Sequence, residues 1–437
     1  MSDSQNFLSP KIRPSPIPGA GFPGFNDLSS LDVVRMPTKP LWEGDDYKNE
    51  EIQIIHLTIT GQCYARCMDC VNSAVTLGSD DPRDTVITAE ESVPQRDATI
   101  IKKLAALHPD RMFTVCFYGG EPFLRLELME EVWSILARSD ESERFRFMVI
   151  TNGELLEDAM TRYPEFMRDI WLYAVSIDGD EEQHDRIRLG TCLSHIRENL
   201  KSLSAFYRGN ILQWSTLRED QSLFRCFEEF LRLYEEGLVN HFFWHWAESR
   251  KPMDDFRGFV RRYGLDLKRI IDIYIKRIYG GEILPIAHVN ELILYLLTAR
   301  KRGHTACGVE MAENYDIVSG KVFPCADLPG CSSIGRLDEE GELKIREHDL
   351  ESFIEYKEWL GCYECGVSAY CGGRCPVQIR AGSVERAYQC CQLMRLHVGI
   401  VQERIEDILT ALKTSGATLQ SIYDNSAFLA KYTDVVP

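Results

Sequence analysis

The stretch TITGQCYARCMDCVNSAV, residues 58–75, places three cysteines, Cys63, Cys67 and Cys70, on one short loop. A disulfide framework uses thiols in pairs, and a structural zinc site usually uses a closed set of four ligands. Three thiolates would leave one coordination position of a metal or cluster open for another ligand. The C-x3-C-x2-C spacing therefore predicts a four-iron cluster with one free iron, with a zinc site or reactive thiols as the alternatives.

The composition is that of a globular protein with an acidic surface. The chain has 437 residues, a formal net charge of −18 and fifteen cysteines. The acidic balance argues against a nucleic-acid or anionic membrane partner. Neither a signal peptide nor a long apolar span is present in the sequence, which predicts a cytoplasmic protein. In that compartment cysteines serve more often as metal ligands or buried thiols than in disulfides.

Strands and helices alternate between residues 52 and 250, which predicts a parallel sheet that is either open or closed into a barrel. The loops at the carboxyl ends of such strands carry the chemistry. The cysteine loop follows the first strand, and three later strands end in the turns GGEP, TNG and SIDG. Candidate ligand-binding residues on these turns and just after them are Gly119, Gly120, Glu121, Asn152, Ser176 and Arg188. Together they suit a ligand with an amino-acid end and a nucleoside.

This order of motifs resembles the radical S-adenosylmethionine enzymes. The resemblance implies an α/β fold with a partial (β/α)6 TIM-like barrel. It also implies a [4Fe–4S] cluster on Cys63, Cys67 and Cys70, whose free iron chelates S-adenosylmethionine. By the same resemblance the GGE turn faces the methionine amine, and Ser176 and Arg188 lie near the ribose and carboxylate. One departure is Asp69, because the family commonly has an aromatic residue before the third cysteine.

A second cysteine region begins at Cys307. Its spacing is C-x12-G-x4-C, then C-x2-C-x5-C-x3-C, then two adjacent cysteines. Taken alone, this pattern is also compatible with zinc sites. After the barrel motifs it resembles the loop-rich SPASM extension, which implies two auxiliary [4Fe–4S] clusters. The implied outer ligands are Cys362, Cys365, Cys371 and either Cys390 or Cys391, and the implied inner ligands are Cys307, Cys325 and Cys375.

The inner set has only three cysteines in this alignment of motifs. Cys331 or His304 are candidates for a fourth ligand, and the alternative is an open iron that a substrate thiol or amine could occupy. Asp327, two residues after Cys325, is a candidate acid or base near the substrate.

Five segments are expected. These are a proline-rich arm (1–51), the radical S-adenosylmethionine barrel (52–250), a helical bridge (251–306), the SPASM region (307–400) and a C-terminal helix with its tail (401–437).

The resemblance implies an oxidoreductase that modifies a peptide or protein side chain, by crosslinking or oxidation. The alternative is a dehydrogenase or epimerase of a small molecule such as an aminoglycoside precursor. Only 62 residues precede Cys63, so a leader-recognition domain is not expected in the chain. The alternatives are a separate leader-recognition protein, a different mode of substrate recognition, or a substrate that is not a peptide. A flavodoxin or ferredoxin would donate electrons. An electron carrier and a zinc-stabilised interaction module are the competing classes.

Overall fold

The computed structural model describes residues 31, 33–71, 89–312, 314–328, 332–346, 349–433 and 436–437. In these ranges the strands form one sheet of ten and a separate pair. The strands are β1 Ile52–Thr60, β2 Arg66–Cys67, β3 Met112–Gly119, β4 Phe145–Thr151, β5 Ile170–Ser176, β6 Arg188–Leu189, β7 Asn210–Leu217, β8 His241–Trp246, β9 Asn314–Val318, β10 Lys321–Phe323, β11 Gly335–Leu337 and β12 Leu343–Ile345.

Helices connect the parallel strands and continue beyond them. They are α1 Pro94–Ala106, α2 Leu126–Ala137, α3 Leu156–Arg162, α4 Pro164–Asp169, α5 Glu181–Ile187, α6 Leu193–Phe206, α7 Leu223–Glu235, α8 Phe256–Tyr279, α9 Ala287–Thr298, α10 Tyr356–Trp359, α11 Ser368–Cys371, α12 Pro376–Ala381, α13 Val384–Glu403, α14 Ile405–Ser415 and α15 Leu419–Asn425. Among the described residues, none of the helices has the length and apolar character needed to cross a membrane.

Six strands pair side by side in the order β1, β3, β4, β5, β7, β8, and all six run parallel. Helices pack on the sheet, so a strand in its middle is buried on both faces and reads as a nearly continuous apolar run. In β1, eight of the nine residues are buried. The predicted fold class, a partial (β/α)6 barrel, is confirmed.

The cysteine-rich region continues the same sheet. Strand β9 pairs with β1 in parallel, and β10, β11 and β12 follow as antiparallel neighbours. Because β10 runs antiparallel to β9, Phe323, two residues before Cys325, lies level with Asp316 of β9 and His56 in the middle of β1. The boundaries of the five expected segments stay a prediction, and most of the proline-rich arm lies outside the described residues.

Candidate functional site

A cavity of about 480 Å³ lies at the carboxyl ends of the parallel strands. Its wall includes predicted site residues from both halves of the chain. From the barrel come Cys63, Cys67, Cys70, Gly119, Gly120, Glu121, Asn152, Ser176 and Arg188. From the cysteine-rich region come Cys307, Cys325, Asp327 and Cys375. Residues far apart in the sequence thus share one chamber.

The first cysteine loop is held in place by backbone pairing. Cys67 in β2 lies opposite Arg188 in β6, and Met68 N donates to Ile187 O at 3.0 Å. Asp69 has a left-handed backbone with φ of 47°, which a short polar side chain tolerates better than most. Burial raises the pKa of Cys63 to about 12, and repulsion from Glu121, Cys67 and Cys70 adds to this. The three thiols therefore lie close enough to interact.

The two glycines after β3 are required by this loop. A side chain at Gly120 would bring its Cβ within 2.1 Å of Gln62 O, and one at Gly119, where φ is +130°, within 2.4 Å of Thr60 O. Gly120 N donates to Thr60 O and Glu121 N donates to Gln62 O, both at 2.9 Å. Both glycines were predicted to bind a ligand. The contacts observed are with the chain that leads into Cys63.

The Glu121 carboxylate ties the GGE turn to the end of β4. It accepts hydrogen bonds from the Thr151 hydroxyl at 2.9 Å, from Asn152 N at 2.9 Å and from Phe123 N at 3.2 Å. Burial raises the pKa of Glu121 to about 7, against the lowering effect of these hydrogen bonds. The group is only 1% exposed, so an ammonium group bound in the cavity would favour its ionised form.

Asn152, a residue of the cavity wall, has a hydrogen-bond donor without a partner among the described residues. Its Oδ1 accepts from the Tyr64 hydroxyl at 2.7 Å and from Glu154 N at 3.0 Å. Its Nδ2 is buried and has no partner among the described residues. A buried amide donor without a partner is costly, and a carboxylate or hydroxyl acceptor on a bound molecule would satisfy it. Together with Ser176 at the end of β5, this wall fits a polar ligand such as S-adenosylmethionine.

Sequence reasoning missed two charged residues that organise this wall, Asp178 and Arg218. Asp178 is fully buried and accepts from Arg188 Nε at 2.8 Å, from Arg218 Nη1 at 2.8 Å and from Thr216 N at 2.8 Å. Burial opposes its ionisation, but the two guanidinium groups lower the pKa of Asp178 to about 2. Asp178 lies two residues after β5 and Arg218 lies directly after β7, and this position after a buried parallel strand is the signal that would have found them.

The inner cysteine set faces the same cavity. Burial raises the pKa of Cys325, and the Asp316 and Asp327 carboxylates and the thiols of Cys375 and Cys307 raise it further. These three thiols therefore form a second group, with Asp327 beside it.

Of the two candidates for a fourth inner ligand, His304 is described and Cys331 is not. His304 lines a neighbouring cavity of about 350 Å³, which Cys307 also borders. Its Nδ1 lies 2.6 Å from the carbonyl oxygen of Thr305. Cys331 lies outside the described residues.

The outer set consists of four thiols. Burial raises the pKa of Cys391, and the thiols of Cys371, Cys362 and Cys365 raise it further. Neighbouring positions on a helix project about 100° apart, so only one of the two adjacent cysteines on α13 can face this group. Cys391 is that one, whereas Cys390 is fully buried.

The donor chemistry of the three sets consists of thiols alone. In the described part of the chain, no group of three or more His, Cys, Asp or Glu side chains is arranged to hold a metal ion as the side chains stand. Cysteine thiolates are the usual ligands of iron–sulfur clusters, and a cubane takes one thiolate at each of several irons. The three barrel thiols, the three inner thiols and the four outer thiols are therefore suitable ligand sets for three [4Fe–4S] clusters.

Comparisons with known proteins agree with this architecture. No family model matches the chain. A cysteine-type anaerobic sulfatase-maturating enzyme of Clostridium novyi (strain NT) is 22% identical over 243 residues, covering 52% of this chain. The chain spans 62% of the length of that curated relative.

Solved structures share the fold over most of the chain. Native anSMEcpe with bound AdoMet has a TM-score of 0.60 at 16% identity, covering 82% of this chain and 99% of that one. The same protein with AdoMet and the Cp18Cys peptide has a TM-score of 0.58 at 16% identity, covering 83% and 99%. The predicted resemblance is thereby confirmed at the level of the fold.

Proposed function

We propose that this chain, which has the fold of the radical S-adenosylmethionine enzymes with a SPASM extension, oxidises or crosslinks a side chain of a peptide or protein. The observation that carries the proposal is the shared cavity. The three-thiol loop and the three inner thiols face one space of about 480 Å³, a size usual for a ligand site. A substrate side chain in that space would lie between the two sets.

Each cofactor has a defined set of residues in the proposal. Cys63, Cys67 and Cys70 hold the [4Fe–4S] cluster that, with S-adenosylmethionine bound, supplies the 5′-deoxyadenosyl radical for hydrogen abstraction. The inner thiols and the four outer thiols, with Cys391 rather than Cys390, hold the two auxiliary clusters.

The chain's own residues orient the cofactor. Asn152 Nδ2 donates to a carboxylate or ribose oxygen, because it belongs to a residue of the cavity wall and is buried without a partner among the described residues. Glu121 faces the methionine amine and holds the TNG turn in place. Ser176 and Arg188 also line the cavity. In the proposal Ser176 binds the ribose of the cofactor.

A proton acceptor is needed when a substrate C–H or S–H group is oxidised, and Asp327 is proposed for this role. It lines the cavity, and its charge acts on Cys325. A peptide substrate is favoured over a small molecule because anSMEcpe has been solved with a bound peptide, and the curated relative matures a sulfatase. A flavodoxin or ferredoxin is the proposed electron donor.

The test uses protein reconstituted anaerobically with iron and sulfide, S-adenosylmethionine, dithionite and a synthetic peptide with one central cysteine. Mass spectrometry follows 5′-deoxyadenosine and the loss of two hydrogen atoms from the peptide. The variant Cys63→Ala, Cys67→Ala, Cys70→Ala should lose both signals, whereas Cys192→Ala, at an exposed cysteine, should keep them.

The two halves of the proposal fail separately. A second peptide has serine in place of the central cysteine. Formation of 5′-deoxyadenosine without any change to either peptide would contradict a peptide substrate but not the cleavage of S-adenosylmethionine. If the reconstituted protein does not cleave S-adenosylmethionine, the proposal that the chain is a radical S-adenosylmethionine enzyme is wrong.

A further inference from the structure

We propose that Arg188 and Asp178 set the reduction potential of the cluster on Cys63, Cys67 and Cys70, Arg188 raising it and Asp178 lowering it. This rests on the proposed function, since it requires that cluster. From the sequence, Arg188 was expected near the ribose and carboxylate of the cofactor. The structure gives its guanidinium two other partners.

Arg188 is bound on one side and faces sulfur on the other. Its Nε and Nη2 form a fork on Asp178, at 2.8 Å to Oδ2 and 3.3 Å to Oδ1. Its Nη1 lies 3.8 Å from Cys67 Sγ. The arginine side chain is 10% exposed, and the backbone pairing of Cys67 with Arg188 fixes the two residues opposite each other. The guanidinium is therefore held against the thiol by packing and by hydrogen bonds.

Asp178 is shared between two arginines. Arg218 Nη1 donates to the same Oδ2 at 2.8 Å, and Arg218 Nε donates to Met68 O, within the cysteine loop, at 2.8 Å. The side chains of Asp178 and Arg218 are 0% and 5% exposed. Two guanidinium charges and one carboxylate leave a net positive charge beside the loop, largely shielded from solvent and therefore weakly screened.

The sign of each effect follows from elementary electrostatics. Reduction adds a negative charge to a cluster that thiolates already make anionic. A nearby cation and a hydrogen bond to sulfur stabilise the reduced state, and a nearby anion destabilises it. Removing the Arg188 charge must lower the potential, and removing the Asp178 charge must raise it. If Arg188 and Asp178 only held the cysteine loop in place, the two substitutions would not shift the reduction potential in opposite directions.

The experiment is a redox titration of reconstituted protein, followed by electron paramagnetic resonance. The signal used is the one that disappears in the triple cysteine variant. At the wild-type midpoint potential, Arg188→Gln should lower the ratio of reduced to oxidised cluster about tenfold, which corresponds to about 59 mV. Asp178→Asn should raise the ratio. Arg188→Lys, which keeps the charge, should change it less than Arg188→Gln does.

Arg395→Gln is the matched control, because Arg395 Nη2 lies 3.9 Å from Cys365 Sγ in the outer set. It should leave the measured signal unchanged. An unchanged ratio in Arg188→Gln, or shifts of the same sign in Arg188→Gln and Asp178→Asn, would overturn the inference. If Asp178→Asn does not incorporate iron, equal shifts in Arg188→Gln and Arg188→Lys would overturn it. A wild-type protein without the signal would instead contradict the proposed function.

Discussion

Replacing Gly120 with alanine drives a methyl group into the backbone of the cysteine loop. The new Cβ would lie 2.1 Å from Gln62 O and 2.9 Å from Gly61 O. Both are backbone atoms, so no side-chain rotation relieves the clash. The loop must move away from β3, which breaks the hydrogen bonds from Gly120 N to Thr60 O and from Glu121 N to Gln62 O.

The expected cost follows from these contacts. Overpacking of this kind costs about 1–3 kcal/mol, and each lost hydrogen bond about 0.5–1.5 kcal/mol. The free energy of unfolding should therefore fall by about 2–6 kcal/mol, a large part of the usual stability of a protein. Because the displaced loop carries Cys63, the variant should also lose the iron bound there.

Urea denaturation of the iron-free protein, with tryptophan fluorescence as the signal, measures the first effect, and iron analysis after reconstitution measures the second. Gly280→Ala is the matched control. Gly280 is exposed, has φ of −79°, and its added Cβ would lie 3.2 Å from Arg277 O. The control should change stability by less than about 1 kcal/mol. If Gly120→Ala has the stability and iron content of the wild type, a Cβ at residue 120 does not displace the cysteine loop and the prediction is wrong.

Three further changes test other parts of the site. Cys391→Ser should lower the bound iron by about four atoms per chain, whereas Cys390→Ser should leave the iron content unchanged. The reverse result would show that Cys390, not Cys391, is the outer ligand. Between pH 4.5 and about 8, iron-free wild-type protein should lose about 3 kcal/mol of unfolding free energy relative to Glu121→Gln. The reason is that burial raises the pKa of Glu121 to about 7, so the stabilisation is complete below pH 4.5 and is lost as the pH rises through 7. Parallel pH curves for the two proteins would contradict it. Asp327→Asn should slow peptide modification about 100-fold while 5′-deoxyadenosine still forms. An equal loss of peptide modification and of 5′-deoxyadenosine formation would contradict the role of Asp327 as proton acceptor. Asp140→Asn, in an exposed loop, is the control.

The sequence predicts most of the parallel strands because their apolar runs are local features, although it does not mark Asn210–Leu217 as a strand. The run IQIIHLTIT has the continuous apolar character of a parallel strand buried on both faces, and residues 52–60 form β1. The cysteines are equally visible, since three thiols on one loop need no knowledge of the rest of the fold.

Contacts between distant parts of the chain were not predictable in the same way. Asp178 and Arg218 are 40 residues apart and meet because β5 and β7 are neighbours in the sheet. Arg188 was expected near the ribose and carboxylate of the cofactor because the sequence does not mark Asp178 as its partner. Cys390 and Cys391 are equivalent in sequence, and only the direction of each side chain on α13 distinguishes them.

Iron analysis of reconstituted wild-type protein and of three cysteine variants tests the central claim most directly. Each variant replaces one set of thiols, the barrel, inner or outer set, with alanine. The wild type should bind about twelve irons per chain and each variant about eight, with 5′-deoxyadenosine formation abolished when the barrel set is replaced. Zinc in place of iron, or an iron content that the barrel variant leaves unchanged, would contradict that claim.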